Sequence, residues 1–321
     1  MNVLSLFDGI SCGRIALDKA GIEVTNYFSS EVDKHAVKVS DDNYPSITRL
    51  GDINDWHFWG LDPSKIDLIL AGSPCQGFSF AGKQLAFDDP RSALFFTFID
   101  ILNWVKAHNP DVKFLLENVK MKKEHLAVIT ERLGVEPILI NSALVSAQNR
   151  QRYYWCNWDV KQPEDKGVLL GDIIDDRCQE PNGDGWHKWW KDKKDFQIKK
   201  RYSAVVNDGS SDKAICMTAR QYASWNGNFV ILQKARGFNN GGIKAINGKT
   251  PTLSSCSWEH NNFLGKDDKY RNLTPVECER LQTVPDNYTK AVSNTQRYKM
   301  LGNGWTCDVI SHIFSTMGNA A

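Results

Sequence analysis

A cysteine and a glutamate stand where two predicted strands end, as a nucleophile and an acid would. Cys75 lies in the turn Pro74-Cys75-Gln76 after the apolar run 66–71, and Glu117 follows the apolar run 114–116. Open α/β sheets place their chemistry beyond the carboxyl ends of the strands. The sequence therefore predicts a thiol and a carboxyl group at two strand ends of one site.

Both residues also have a structural interpretation. A free cysteine is more often a small buried hydrophobe than a nucleophile. However, the glycines that flank the Cys75 turn, Gly72 and Gly77, make it a poor place to bury a side chain. Glu117 could be a structural acid held by nearby amides, with Asn118 keeping its turn rigid. These residues alone leave the choice open.

Two arginines lie in the segment Gln148-Asn149-Arg150-Gln151-Arg152. Because side chains alternate along an extended chain, Arg150 and Arg152 are expected on the same face. So placed, both guanidinium groups can reach one polyanionic or carbonyl-bearing ligand. A pair of exposed strand-edge arginines would have the same spacing and is the alternative.

A turn with two glycines, residues 7–13, separates the first predicted strand from the first helix. Such turns let backbone amides approach a ligand, but this one is not the Gly-x-Gly-x-x-Gly dinucleotide fingerprint. Acids follow the next two strands, first Glu31 and then Asp52 with Ile53. An adenosine ligand suits this pattern, with its ribose on Glu31, its adenine edge on Asp52 and its ring against Ile53. A tight turn and solvated strand caps are the structural alternative.

The elements that must position these residues alternate along the first 158 residues. Apolar strands are predicted near 3–7, 24–28, 50–53, 66–71, 113–116, 135–140 and 152–156, with helices between most of them. This alternation predicts an α/β fold with a mainly parallel sheet covered on both faces. Residues 159–268 are rich in Gly, Asn, Lys, Asp and Trp, which indicates a separate, smaller domain. From residue 270 the sequence again predicts regular secondary structure. Thr274 as N-cap and Pro275 at N1 indicate a helix start, and a last helix is predicted near 306–317.

Composition excludes several broad classes. The chain has 321 residues, of which 41% are hydrophobic and 24% charged, and its net charge of +1 excludes a globally basic DNA-coating protein. No apolar run approaches the roughly 20 residues that span a bilayer, and the first residues do not form a signal peptide. The eight cysteines occur singly, without zinc spacing, which predicts reduced thiols in a cytoplasmic protein and no metal site.

With these residues in place, the chain resembles the DNA (cytosine-5)-methyltransferases in nearly its whole catalytic part. The turn 7–13 is similar to the family's S-adenosylmethionine loop, and residues 271–282 to the helix that frames its recognition domain. Three further motifs are similar to the catalytic loop, the acid motif and the arginine motif: Pro74-Cys75-Gln76, Glu117-Asn118-Val119 and Gln148-x-Arg150-x-Arg152. Gly302-Asn303-Gly304 is similar to the late motif that completes the cofactor pocket. Asp8 and Ser11 differ from many members, whereas Asp8-Gly9 and Trp305 are closer to the animal de novo branch and to some stand-alone bacterial and phage enzymes.

The resemblance implies an S-adenosylmethionine-dependent, Rossmann-like methyltransferase fold. Its catalytic domain would be discontinuous, with residues 1–158 and 269–321 flanking an inserted target-recognition domain at 159–268. Catalytic roles are implied for Cys75, Glu117, Arg150 and Arg152. The implied cofactor contacts are Phe7, Asp8, Gly9, Gly13, Glu31, Val32, Asp52, Ile53, Pro74, Asn303, Gly304 and Trp305.

The implied reaction begins with addition of the Cys75 thiolate to C6 of cytosine, which makes C5 nucleophilic. Glu117 would donate to N3, and the two arginines would orient the base carbonyl and a neighbouring phosphate. The base must first flip out of the duplex, at a cost of a few kcal/mol. Gln76 and Ser79 are expected to contact DNA, and the polar segment 78–91 to close over the flipped base.

Two further stretches favour contact with DNA. Residues 186–202 carry seven Lys or Arg against two Asp, interleaved with aromatic residues, which suits phosphate contact by Lys193, Lys194, Lys199 and Lys200. A solvated basic face is the alternative. Arg236 and Asn239, in a glycine-rich loop, are expected to read bases in the major groove.

The resemblance leaves two alternatives to a DNA methyltransferase. One is a transfer-RNA cytosine-5 methyltransferase, although the Cys-Phe-Thr signature of that branch does not occur in the recognition region. The other is a catalytically silent DNA-binding paralogue, against which Cys75 and Glu117 argue. The expected partners are double-stranded DNA and a cognate restriction endonuclease, without a membrane. The expected form is a monomer in the cytoplasm of a prokaryotic or phage-infected cell.

Overall fold

The structure is a computed structural model that describes residues 1–72, 93–174, 187–188, 230–233, 242–244, 250–253, 263–266 and 269–318. Within these ranges, no helix combines the length and the apolarity needed to cross a bilayer.

The larger sheet contains seven strands in the order β3-β2-β1-β4-β5-β8-β6. Their bounds are β1 Asn2–Leu6, β2 Asn26–Ser30, β3 Thr48–Arg49, β4 Leu68–Ala71, β5 Lys113–Val119, β6 Ile138–Asn141 and β8 Gln151–Cys156; a short strand, β7 Gln148–Asn149, precedes β8. Neighbouring strands from β3 to β5 are parallel, whereas β8 runs antiparallel to both β5 and β6. The α/β fold with a mainly parallel sheet is therefore confirmed.

Helices cover both faces of this sheet because consecutive residues of its central strands are apolar and their side chains point to opposite faces. Even-numbered residues of β1 and β5, such as Leu4 and Phe114, pack with α3 and α4, while odd-numbered residues, such as Val3 and Leu115, pack with α1 and α8. The helices are α1 Cys12–Lys19, α2 Lys34–Asn43, α3 Ala93–His108, α4 Lys123–Leu133, α5 Leu170–Ile173, α6 Pro275–Leu281, α7 Asn294–Asn303 and α8 Cys307–Ser315.

The start of α6 confirms the helix signal in the sequence. The Thr274 side chain accepts a hydrogen bond from the Glu277 amide, and the Glu277 side chain accepts one from the Thr274 amide, which is a complete capping box with Pro275 in the first turn. Arg271 adds a two-pronged ion pair to the buried Glu277 carboxylate, at 2.7 and 2.8 Å. These contacts fix the helix start firmly.

A smaller, antiparallel sheet has the order β11-β10-β13-β14-β9. Its strands are β9 His187–Lys188, β10 Val230–Gln233, β11 Gly242–Lys244, β13 Phe263–Lys266 and β14 Lys269–Asn272. A separate strand, β12 Thr250–Pro251, pairs in parallel with β7. Through this pairing, residues 250–251 attach to the segment that precedes β8.

One predicted strand is wrong. The strand at this position is the two-residue β3, which ends at Arg49, so residues 50–53 lie beyond it, and a 3-10 helix runs from Ile53 to Phe58. Gly51 adopts the left-handed conformation (φ 76°), and the Asp52 carboxylate caps the following turn by accepting from the Asn54 amide. Glycine and aspartate favour these turn conformations, so they end the strand early.

Candidate active site

A cavity of about 320 Å³ lies where β1, β2, β4 and β5 end. It is lined from the turn after β1, the end of β2, the residue after β4, the end of β5, strand β8 and the end of α7. Among the residues predicted from the sequence, it gathers Phe7, Asp8, Gly9, Glu31, Glu117, Arg150, Arg152, Asn303, Gly304 and Trp305. Residues predicted to bind the cofactor and residues predicted to act in catalysis therefore line one cavity.

The turn after β1 has an unusual backbone. Phe7 and Ser11 both adopt the left-handed conformation, with φ values of 58° and 60°, and Gly9 lies between them at 59°. Non-glycine residues in this region cost on the order of 1–3 kcal/mol each and concentrate at functional sites. The surrounding structure must therefore hold this turn in shape.

Asp8 supplies much of that hold from inside the protein. Its buried carboxylate accepts hydrogen bonds from the hydroxyls of Ser5, Ser11, Tyr27 and Ser29, at 2.6–2.9 Å. Burial, followed by the charge of Asp8, raises the pKa of Tyr27 well above its usual value, so the phenol remains a donor. The Asp8 side chain thus braces the turn.

Glu31 is held by main-chain amides. One carboxylate oxygen accepts from the Gly9 amide, and the other from the amides of Val32 and Asp33, all at 2.8 Å. A carboxylate offers about four acceptor positions, so these three bonds leave capacity for a ligand hydroxyl. The arrangement fixes the carboxylate at the cavity wall without a charged side-chain partner in any of these bonds.

An ion pair that the sequence did not reveal lies on the same wall. Lys299 of α7 contacts Asp33 at 2.8 Å, and Asp33 also caps α2 by accepting from the His35 amide. Burial alone would raise the pKa of Asp33, but the hydrogen bond from Lys299, with the backbone bonds, lowers it overall. Asp33 has the signal of an N-cap in the sequence, but 266 residues separate it from Lys299.

Glu117 is held by side chains. The residue is 8% exposed, and its two oxygens face different partners. Arg152 Nε lies 3.1 Å from one oxygen, and Trp305 Nε1 donates to the other at 3.2 Å. The pairing of β5 with β8 brings Arg152 beside this acid, because Arg152 is opposite Val119. A cation therefore lies beside one oxygen, without hydrogen-bond geometry at its Nε, and a neutral donor hydrogen-bonds to the other.

The two predicted arginines line the same cavity but have different partners. Arg150 is 3% exposed, and its guanidinium donates to the backbone carbonyls of Leu253, Gly302 and Gly304, at 2.9–3.4 Å. Arg150 thus joins three chain segments, whereas Arg152 faces the acid.

Gln148, the first residue of the arginine motif, is fully buried in the same junction. It donates to the Leu281 carbonyl and accepts from the Leu253 amide, at 3.1 and 2.8 Å. Nearby, Gln282 donates to the carbonyls of Leu301 and Gly304. Gln282, which also accepts a hydrogen bond from Gln148, thus holds the glycine motif at the end of α7 in place.

Four of the predicted cofactor residues do not line this cavity. Gly13 lies behind Trp305, Val32 is 70% exposed, the Asp52 carboxylate caps its own turn, and Ile53 is buried in the core. Other predicted residues lie outside the described residues: Pro74, Cys75, Gln76, Ser79, Lys193, Lys194, Lys199, Lys200, Arg236 and Asn239. Within the described ranges, no group of three or more His, Cys, Asp or Glu could hold a metal ion.

Comparison with known proteins gives consistent results. The profile of the family described as C-5 cytosine-specific DNA methylase matches residues 1–319. The type II methyltransferase M.NgoBI of Neisseria gonorrhoeae is 44% identical over 328 residues, covering 96% of this chain and 90% of that protein. The type II methyltransferase M.NlaX of Neisseria lactamica is 30% identical over 338 residues, covering 98% and 95%. In fold, the methyltransferase EhMeth of Entamoeba histolytica matches with a TM-score of 0.64 at 15% identity, over 99% of this chain and 98% of that one.

Proposed function

This chain belongs to the C-5 cytosine-specific DNA methylase family and is a DNA cytosine-5 methyltransferase; on that premise we propose that it methylates a flipped-out cytosine in a specific double-stranded sequence through Cys75. The matched family and the type II relatives favour DNA over transfer RNA, the alternative that the active-site residues had left open.

One observation carries the proposal: Glu117 and Gly72 line the same cavity, and Gly72 directly precedes the segment that contains Cys75. Strands β4 and β5 are parallel neighbours, with Ala71 opposite Leu116. The chain therefore leaves β4 beside Glu117, four residues before Cys75. This supports a nucleophile and an acid that act on one base.

In the proposed mechanism, the Cys75 thiolate adds to C6, and the electron pair of the C5–C6 double bond moves towards C5 and N3. Glu117 supplies a proton at N3, and Arg152 stabilises the carboxylate that results. S-adenosylmethionine, when bound, would supply the methyl group to C5 and leave as S-adenosylhomocysteine. Loss of the C5 proton and elimination of Cys75 then restore the aromatic ring.

The residues of the cavity fit this cofactor. Glu31 retains acceptor capacity for ribose hydroxyls, and Gly9 has open space where a side chain would stand. The volume of about 320 Å³ is at the lower end of ordinary small-molecule pockets, roughly 300–1,000 Å³. We expect Glu31, with the backbone of Phe7 and Asn303, to hold the cofactor.

Covalent trapping tests the proposal. A duplex with 5-fluorocytosine at the target should trap the enzyme on Cys75, because fluorine does not leave as a proton does. Cys75→Ala should abolish both trapping and turnover, while binding of DNA and cofactor largely survives. Cys156→Ala, which removes a buried thiol at the end of β8, is the matched control and should trap like the wild type. Trapping by Cys75→Ala would overturn the assignment.

We also propose that residues 159–268 form the target-recognition domain, inserted between the catalytic segments 1–158 and 269–321. Its lysines at 193, 194, 199 and 200 would contact phosphates, and Arg236 and Asn239 would read bases. Phosphate contacts carry salt dependence but no sequence information. Lysine-to-alanine variants should therefore reduce the salt dependence of DNA binding and leave the target sequence unchanged. Arg236→Ala should instead weaken the discrimination between bases at one position of the target sequence. The similarity to type II enzymes supports a cognate endonuclease as partner, and the site of action would be the cytoplasm.

A further inference from the structure

The indole of Trp305 occupies a narrow slot between two glycines. A Cβ atom at Gly72 would lie 2.9 Å from the indole Nε1, closer than such atoms approach in proteins. On another side, a Cβ atom at Gly13 would lie 3.6 Å from the indole Cζ3 and 2.6 Å from Leu70. Trp305 therefore needs glycine at position 72, the last described residue before the catalytic segment.

The backbone around Trp305 is held on both sides. The Gly304 carbonyl accepts hydrogen bonds from Arg150 and Gln282, at 3.0 and 3.2 Å. The hydroxyl of Thr306 donates to the side chain of Gln282 at 2.9 Å and accepts from Ser142. Because these partners are buried, the indole projects from a rigid frame towards Glu117.

The direction of the indole matters because Trp donates from one atom only. Its Nε1 is 3.2 Å from Glu117 Oε2, while Arg152 Nε is 3.1 Å from Oε1. The Arg152 contact is an ion pair in which the Nε–H lacks hydrogen-bond geometry, so it does not set the plane of the carboxyl group, whereas the indole N–H donates a directional hydrogen bond. That plane decides whether Glu117 meets the edge of a flipped cytosine.

We propose that Trp305 is a positioning residue for the methyl-transfer reaction, which orients the Glu117 carboxyl group through its indole N–H. This inference rests on the proposed action of Glu117 at N3. It adds a role that differs from cofactor contact: the indole ring borders the cavity, and its nitrogen serves the acid.

Trp305→Phe separates the two roles, since phenylalanine keeps an aromatic ring in the slot and loses the donor. We expect kcat and the rate of trapping on the 5-fluorocytosine duplex to fall by about 10-fold or more, the scale of a hydrogen bond to a charged group. The KM for S-adenosylmethionine should stay within about twofold, because an interaction specific to the transition state changes kcat. Trp104→Phe, on α3, is the matched control and should leave both constants unchanged.

The decisive comparison repeats the Trp305→Phe substitution in the Glu117→Ala variant, which lacks the acceptor of the indole hydrogen bond. If Trp305 acts through Glu117, adding Trp305→Phe to Glu117→Ala should slow trapping no further. An equal loss in both backgrounds, or a wild-type kcat in Trp305→Phe with normal thermal unfolding, overturns the inference. If Glu117→Ala itself traps as fast as the wild type, the proposed role of Glu117 fails, and this inference fails with it.

A compensating pair gives an independent check. Gly72→Ala should impair trapping, because the added methyl group collides with the indole. Adding Trp305→Val should relieve the collision and restore normal thermal unfolding, but trapping should stay slow because the donor is lost. Full restoration of trapping by the pair would show that Trp305 only fills space.

Discussion

Two of the carboxylates that line the cavity, those of Glu31 and Glu117, are held in opposite ways. Glu31 accepts from three backbone amides, two of them within two residues along the chain. Glu117 instead depends on the side chains of Arg152 and Trp305, and the latter lies 188 residues away in sequence. Hydrogen bonds from backbone amides remain when neighbouring side chains are replaced, whereas a contact made by a side chain is lost with a single substitution. The cofactor end should therefore tolerate substitutions nearby, and the base end should not.

The sharpest way to break this comparison is Arg152→Ala. This change removes the cation beside a carboxylate that is largely buried, with side-chain exposures of 13% and 11% for the pair. We expect kcat to fall by about 100- to 1,000-fold, the scale of removing one charge-stabilising group from an active site. Single-turnover methyl transfer to duplex DNA measures it.

Arg132→Ala is the matched control, since this arginine is exposed in the last turn of α4. It should leave single-turnover rates unchanged. If the single-turnover rate of Arg152→Ala is within threefold of the wild-type rate, the contact between Arg152 and Glu117 has no catalytic role.

Glu31→Ala tests the other carboxylate. Loss of charge-assisted hydrogen bonds should weaken S-adenosylmethionine binding by roughly 1.5–3 kcal/mol. The methylated sequence should not change, because this acid is proposed to bind the cofactor and not the DNA. Calorimetric titration with cofactor alone gives the dissociation constant, with Glu136→Ala, an exposed acid, as control. An unchanged constant would show that the ribose assignment is wrong.

The smallest effect is expected at Asp308, a carboxylate outside the cavity that is held by side chains alone, and it concerns stability and not activity. Asp308 contacts Lys19 and Lys166 at 2.6 and 3.0 Å. Burial alone would raise the pKa of Asp308, but the two lysines outweigh it and leave the pKa below the usual 3.8. The stabilisation is therefore present above about pH 4 and disappears as the pH falls through that lowered pKa.

Asp308→Asn should accordingly lower the free energy of unfolding by about 0.2–1 kcal/mol at neutral pH, because solvent screens such pairs. The difference from wild type should vanish in strong acid and shrink in high salt. Denaturant titrations at neutral and acidic pH measure it. A difference that persists below the pKa would assign the effect to something other than charge.

The sequence predicted those parts of the site that depend on local patterns. Apolar runs located the strands β1, β4 and β5, although β5 continues to Val119, so that Glu117 lies within the strand and not after it. Thr274 and Pro275 likewise predicted the start of α6, because capping is decided within one turn. The strand predicted at residues 50–53 was wrong, because Gly51 and the cap by Asp52 end the strand before these residues.

Long-range contacts were beyond that reasoning. Spacing placed Arg150 and Arg152 on one face, but it could not show that Arg150 binds the carbonyls of Gly302 and Gly304 across the fold. The Lys299–Asp33 pair and the Trp305–Glu117 bond are of the same kind. Each depends on how α7 and the chain after it pack, which periodicity does not encode.

Bisulfite sequencing of DNA from cells that produce the protein tests the central claim most directly. The account predicts protected cytosines in one sequence context with the wild type. It predicts none with Cys75→Ala or Glu117→Ala, produced at the same level. Absence of protected cytosines with the wild type, or their persistence with Cys75→Ala, would contradict it.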